Sequence, residues 1–248
     1  MIKIDKSSVV DTDDIGDGTV IDEFCIIRKN VKIGKRVHVY PHSIILEGSF
    51  IADDTRIYPG TFIGKVPDGA GALARTPDYE RKIVVGSGCA IGPNAVIYYD
   101  VNIGNNTLIG DGASIREQCV VGSFDIIGRY VTVNYNTKIG DNVKIMDGTH
   151  ITGNAKVGNN VFIGMLVSTA NDNNLNERKY SEKDIGPTIE NDATVGEGAS
   201  ILPGLTLGQG SLIGAGSVVT KDVPARAVVM GVPARIIKYM DGKSGKLQ

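Results

Sequence analysis

The residues best equipped for proton transfer recur at an interval of 18. Ile97, Ile115, Val133 and Ile151 are followed by Tyr98-Tyr99-Asp100, Arg116-Glu117-Gln118, Asn134-Tyr135-Asn136 and Thr152-Gly153-Asn154, and are preceded by Val96, Ser114, Thr132 and His150. An imidazole, with an ordinary pKa of about 6.5, suits removal of a proton from an attacking ammonium or hydroxyl, so His150 is a candidate general base. Glu117 and Asp100 are the carboxylates of the same register. Either could replace His150 as base, orient it, or hold a substrate amine, and the spacing leaves all three roles open. Tyr98, Tyr99, Arg116, Gln118, Asn134, Tyr135 and Asn136 offer stacking faces, hydrogen bonds and positive charge, and are candidate substrate contacts. A polar ladder can also do nothing more than steady a corner. Asp111, Arg129 and Asp147 recur at the same spacing and read as a surface ion ladder of small energetic value.

The interval of 18 is three times a shorter period. From Ile15 an aliphatic residue returns every six positions through Ile63, again from Val85 through Ile163, and again from Ile189 through Val219. Four residues after each stands a small or β-branched side chain, such as Thr19, Cys25, Val31 or Val37. Each hexapeptide reads as a short strand plus a corner, with both recurring residues turned inward and Gly or Asn supporting the corner where positive φ is needed. Three hexapeptides make a coil, and residues 18 apart stack in columns. The complete repeats give about nine coils, a prism roughly 45 Å long at ~4.8 Å per coil. Spacing alone does not set the hand of the coil.

Composition agrees with short strands and tight turns: 32 glycines, no tryptophan, and many Ile, Val, Asn and Asp residues in 248. A formal charge of −2 gives no sign of a nucleic-acid surface. No leader-like apolar segment and no run of about 18 apolar residues is present, which predicts a soluble cytoplasmic protein. The three cysteines, Cys25, Cys89 and Cys119, are too few and too odd in number for a disulfide framework, and all fall at the inward small-residue position. Asp125 is the one misfit at that position; it marks either a local bulge or a buried hydrogen-bonding group.

Two insertions interrupt the repeat, about 65–82 and about 169–188. Both mix Arg, Lys and Tyr with Gly and Asn, a composition suited to contacts with phosphate and a base. The β-helix is expected over 1–232, with a short capping helix and a frayed tail over 233–248.

The final repeats carry a more specific pattern, Gly214-Ala215-Gly216-Ser217-Val218-Val219-Thr220-Lys221-Asp222-Val223-Pro224 followed by Val229-Met230-Gly231-Val232-Pro233-Ala234-Arg235. This resembles the C-terminal signature of hexapeptide-repeat acyltransferases. With the central block, 145–154 and 168–174, it is similar in particular to N-acyltransferases acting on nucleotide-linked amino-deoxysugars. The resemblance implies a left-handed parallel β-helix, a homotrimer with active sites between subunits, and acetyl-CoA or another acyl-CoA as co-substrate, with no metal. It places Gly214, Ala215 and Gly216 against the pantetheine arm and Lys221 and Arg235 near the phosphates or adenine. The reaction it implies is direct attack of a sugar amine on the thioester, assisted by a base of the polar column. O-acetylation of a sugar, serine or xenobiotic hydroxyl is the alternative. A zinc carbonic anhydrase on the same helix would need about three imidazole ligands, and of His38, His42 and His150 the last lies five to six coils from the others. A non-enzymatic scaffold is the remaining reading.

Overall fold

A computed structural model describes residues 1–69, 75–172 and 184–240. Strands 18 residues apart pair in parallel, Thr132 with His150 and Val133 with Ile151 for example. Among the described residues the pairing builds three faces. The first is a 13-stranded sheet that includes Lys144–Ile145, the second an 11-stranded sheet that includes His150–Ile151, and the third a 9-stranded sheet that includes Lys156–Val157. The chain is an all-β, left-handed parallel β-helix of about 12 turns.

The core is the axis of this prism. Ile97, Ile115, Val133 and Ile151 form one fully buried column, and comparable columns line the other faces. Each such side chain contributes about 1.5–3 kcal/mol when removed from water. The cysteines lie in the same interior, all fully buried, and burial pushes the Cys119 thiol up to about 12. A protonated, sealed thiol is no nucleophile.

The inward small residues also tie successive coils together. Thr149 donates to the Gly164 carbonyl at 2.8 Å and accepts from the Val167 amide at 3.2 Å. Asp125 occupies an equivalent position and resolves as a buried hydrogen-bonding group: its Oδ1 accepts from the Val143 amide at 2.7 Å, while Oδ2, sealed from solvent, finds no partner among the described residues. An ionised carboxylate can only accept, so it cannot make the second bond that a threonine makes. Desolvation accordingly pushes its pKa from 3.8 up to about 7. The folded pKa lies above the unfolded one, so stability is greatest below about pH 4 as far as this group is concerned, falls as pH rises to about 7, and is flat beyond. At roughly 1.36 kcal/mol per unit the accumulated loss at pH 8 is about 4 kcal/mol. Asp125→Thr is therefore expected to raise the urea midpoint, with a larger gain at pH 8 than at pH 5. Equal gains at the two pH values would show that the carboxyl does not titrate in this window.

The structure departs from the sequence expectation at both ends. The turns exceed nine because strands outside the complete hexapeptides, Lys3–Ile4, Val9–Val10, Phe62–Lys65, Ser168–Thr169 and Ala227–Met230 among them, also join the helix. At the two ends the partners are not 18 residues away: Lys3 pairs with Val20, and Leu212 with Val228. A coil shortened by one or two residues breaks a strict period of six without breaking the ladder. The C-terminal segment is a strand, Arg235–Tyr239, antiparallel to Ala227–Met230, and not a capping helix. The run Arg-Ile-Ile-Lys-Tyr favours strand, and Pro233 on one side with Asp241-Gly242 on the other leaves too few residues for a stable helix. Doubling back also gives the parallel strand Ala227–Met230 a partner along its outer edge.

Candidate functional site

Both insertions leave the prism along one edge, where the second face turns into the third. The first follows Phe62–Lys65 and returns at Ile83–Val85; the second follows Ser168–Thr169 and returns at Thr188–Ile189. Four strands of the second face lie between them: Val96–Tyr98, Ser114–Ile115, Thr132–Val133 and His150–Ile151. Each is followed by one of the four polar tripeptides. The polar column is thus a stretch of edge about 24 Å long, fenced by a loop at each end.

Position within the tripeptide decides what each residue can do. The third residues, Asp100, Gln118, Asn136 and Asn154, all have φ between 51° and 62°. Asn and Asp tolerate this left-handed region best, so three of the four have a backbone reason for their type. Asn136 donates to Asn154 Oδ1 at 2.8 Å, and Asn154 donates to the Asp184 carbonyl at 2.8 Å, which ties the ladder to the returning second insertion.

The second residues hold the loops. Tyr99 is 1% exposed; its hydroxyl donates to the Glu47 carbonyl at 3.1 Å and its ring faces Tyr79 of the first insertion at 6.0 Å. It anchors that loop and is out of reach of a solute. Glu117 is fully buried beneath two guanidiniums: Arg75, from the first insertion, donates to Oε1, and Arg116 donates to Oε2 at 3.0 Å and Oε1 at 3.3 Å. The Arg75 guanidinium also lies 3.7 Å from the centre of the Tyr135 ring, and Asn171, at the start of the second insertion, donates to the Tyr135 hydroxyl at 3.3 Å. The two insertions therefore meet on Tyr135. Its ring lies against Gly153, where a Cβ would fall 2.6 Å from Cζ, so only glycine leaves room for it.

Of the first residues, Tyr98, Arg116 and Asn134 are half-buried and Thr152 is buried. The Tyr98 ring has Lys65 Nζ at 5.0 Å and the Arg116 guanidinium at 5.3 Å. Asn134 follows in the same register, half-buried.

His150 sits on the second face beside this edge, half-buried, with Nδ1 2.7 Å from Thr132 Oγ1. Its amide donates to the Val167 carbonyl at 2.9 Å, so the strand fixes the backbone that carries the ring. Among the described residues no hydrogen bond or ion pair engages Nε2. Burial lowers its pKa below 6.5, which keeps the ring neutral near pH 7.

On the third-face side, Asp100, Asn102, Gln118, Asn136 and Lys138 line a cavity of 220 Å³, where Lys138 donates to the Gln118 carbonyl at 2.8 Å. Lys138 also heads a larger open groove of 600 Å³ that runs along the third face past Lys156, Asn159, Asn191 and Gln209.

Of the residues singled out in the sequence, the structure brings Arg116, Glu117, Tyr98, Tyr135 and His150 to one fenced edge, with Asp100, Gln118 and Asn136 at its third-face side. Gly214, Ala215 and Gly216 form the corner between Leu212–Ile213 of the first face and Val218–Val219 of the second, which is the opposite edge of the second face. Lys221 and Arg235 are exposed near that end of the helix. The repeat did not point to Arg75, because an inserted residue has no coil position. Its only signal was the cationic composition of the first insertion. Among the described residues no three His, Cys, Asp or Glu side chains converge as a metal site. His38 instead pairs with Asp22 at 2.7 Å and stacks on Tyr40.

The profile of the family described as "Bacterial transferase hexapeptide (six repeats)" matches residues 14–47, 82–117, 136–168 and 186–221. A 2,3,4,5-tetrahydropyridine-2,6-dicarboxylate N-acetyltransferase of Clostridium perfringens is 54% identical over 56 residues, 23% of this chain and 24% of that protein. A serine acetyltransferase of Bacillus licheniformis is 51% identical over 51 residues, 21% of this chain and 24% of that protein. The matched segment thus spans about a quarter of the length of these curated relatives. The crystal structure of the Francisella novicida UDP-N-acetylglucosamine acyltransferase superposes with a TM-score of 0.49 at 20% identity, covering 96% of this chain and 68% of that one.

Proposed function

The chain belongs to the bacterial transferase hexapeptide family, and from that premise we propose that it transfers an acyl group, acetyl in the first instance, from an acyl-CoA to the amino group of a nucleotide-linked amino-deoxysugar. The observation that carries this reading is His150: half-buried, held neutral by its surroundings, engaged at Nδ1 by Thr132 with Nε2 unengaged, on the edge where both insertions converge. With Nδ1–H donating to Thr132, Nε2 presents a lone pair. It takes a proton from the amine as the nitrogen attacks the thioester carbonyl. The tetrahedral adduct collapses by breaking the carbon–sulfur bond, and the imidazolium returns the proton to the departing thiolate, giving amide and free CoA. Glu117 is a poor base, since both its oxygens are taken by arginines. No acyl-enzyme is needed, and the buried cysteines do not offer one.

The acyl donor is placed with its phosphate-bearing arm along the third-face groove past Lys138 and Lys156. The corner Gly214–Gly216, on the opposite edge of the second face, meets such a donor only if a neighbouring copy supplies it. This supports a trimer with its sites between subunits. No helix of the described residues is long and apolar enough to cross a membrane, and a cytoplasmic enzyme fits a reaction that draws on acyl-CoA and nucleotide sugars. The serine acetyltransferase relative favours hydroxyl transfer as the second reading.

Thiol release from acetyl-CoA, measured across nucleotide-linked sugars that differ only in bearing an amine or a hydroxyl, separates the two. Acceptor-dependent release with amines and a product one acetyl group heavier is expected. Turnover of hydroxyl acceptors alone would replace N-transfer by O-transfer.

A further inference from the structure

We propose that Arg75 and Arg116, held on Glu117, form an anion subsite that binds the diphosphate of the acceptor. The inference rests on the reading of the acceptor as nucleotide-linked, and it gives the first insertion a defined task.

One buried carboxylate is matched by one guanidinium; here it carries two. The excess positive charge is not cancelled by another acidic partner of either arginine among the described residues. Each guanidinium has five N–H donors in a planar fork, and Glu117 engages one nitrogen of Arg75 and two of Arg116. Neither side chain is sealed, with 13% and 24% of their surfaces exposed, and each keeps donors that Glu117 does not engage. Tyr135 lies against the Arg75 guanidinium, and the Arg116 guanidinium is near Tyr98. These contacts fix both planes and cut the ordering cost of binding. Lys65 Nζ, on the same Tyr98 ring, adds a third cation. A ligand with phosphates fits two guanidinium forks with excess positive charge better than a neutral sugar does, because Arg forks match phosphate oxygens bidentately. Of the polar column this is the part with unspent positive charge, and it lies two coils from His150.

Coenzyme A also carries a diphosphate, so the test separates the two sources. Isothermal titration of the wild-type protein and of Arg75→Gln with UDP, uridine and CoA, at fixed salt, reads each affinity directly. The expected result is UDP binding weakened about 30-fold in Arg75→Gln, the scale of one lost charge-assisted contact, with CoA unchanged and uridine weak in both proteins. The unchanged CoA affinity also shows that the variant is folded. Equal UDP affinity in the two proteins would overturn the subsite, and so would a loss confined to CoA, which would assign the arginines to the donor. Failure of wild type to bind CoA would instead remove the acyl-transfer reading, while an Arg75-dependent UDP site would stand.

Discussion

Replacing His150 by asparagine is expected to lower kcat by roughly 100- to 10,000-fold, the range a positioned general base contributes. The acyl-CoA and acceptor KM values should change little. Asparagine keeps a side-chain hydrogen-bonding group of similar reach toward Thr132 Oγ1 and suits a half-buried outward position on a two-residue strand, so the fold should survive the change. The pH profile gives a sharper readout than the rate alone. Burial sets the His150 pKa of the free protein below 6.5, so in the wild type kcat/KM should carry an acid-limb inflection below 6.5. In the variant that acid limb should disappear, because the group that titrates is gone. A variant with wild-type kcat would eliminate His150 as the base and leave Asp100 as the carboxylate with solvent access on this edge. Thr132→Val should shift the same limb and cost less in rate, since Thr132 acts only by holding the ring.

The hexapeptide period was legible because burial enforces it: Ile115 and Val133 are fully sealed on the axis, where a polar side chain is costly unless it finds hydrogen-bond partners. What failed at the ends failed for a local reason. Lys3 and Val20, or Leu212 and Val228, pair across coils that lack one or two residues, and a ladder absorbs such a deletion in a corner while a strict period does not. The edge that gathers the polar residues was also visible, since three columns can be separated by counting. The depth of each residue on that edge was not. In the sequence Tyr99 and Glu117 are polar corner residues like Tyr98 and Gln118, yet both are sealed by groups that the repeat does not place, Tyr79 and Arg75 of the first insertion. Those contacts turn a candidate substrate residue, Tyr99, and a candidate catalytic carboxylate, Glu117, into the fixings of a loop. Arg75 itself was beyond reach, because its partner lies 42 residues away and on a later coil.

Glu117→Gln should be the most destabilising single change on this edge. The amide keeps the volume and shape of the carboxylate but removes its charge, so Arg75 and Arg116 remain close together with nothing between them to offset their repulsion. Breaking a buried ion pair by neutralising one member costs about 3–5 kcal/mol, most of it from the charge left behind. Here the two guanidiniums retain partial access to solvent, which places the loss at the lower end, about 3 kcal/mol. For a chain of this size that corresponds to a fall in Tm of roughly 6–12 °C. The damage should be local in origin: coils touch only their neighbours, and the pair joins the first insertion to Glu117, the fully buried residue of its corner. Proteolysis within the first insertion should therefore accelerate at temperatures where the helix core remains intact. A double-mutant cycle separates lost attraction from stranded charge. If the stranded charges dominate, Glu117→Gln with Arg75→Gln should be more stable than Glu117→Gln alone, because one of the two repelling guanidiniums is gone. Strict additivity of the two changes would mean that Arg75 and Glu117 do not interact in solution. The same result would remove the rigid charge pair on which the proposed diphosphate subsite depends.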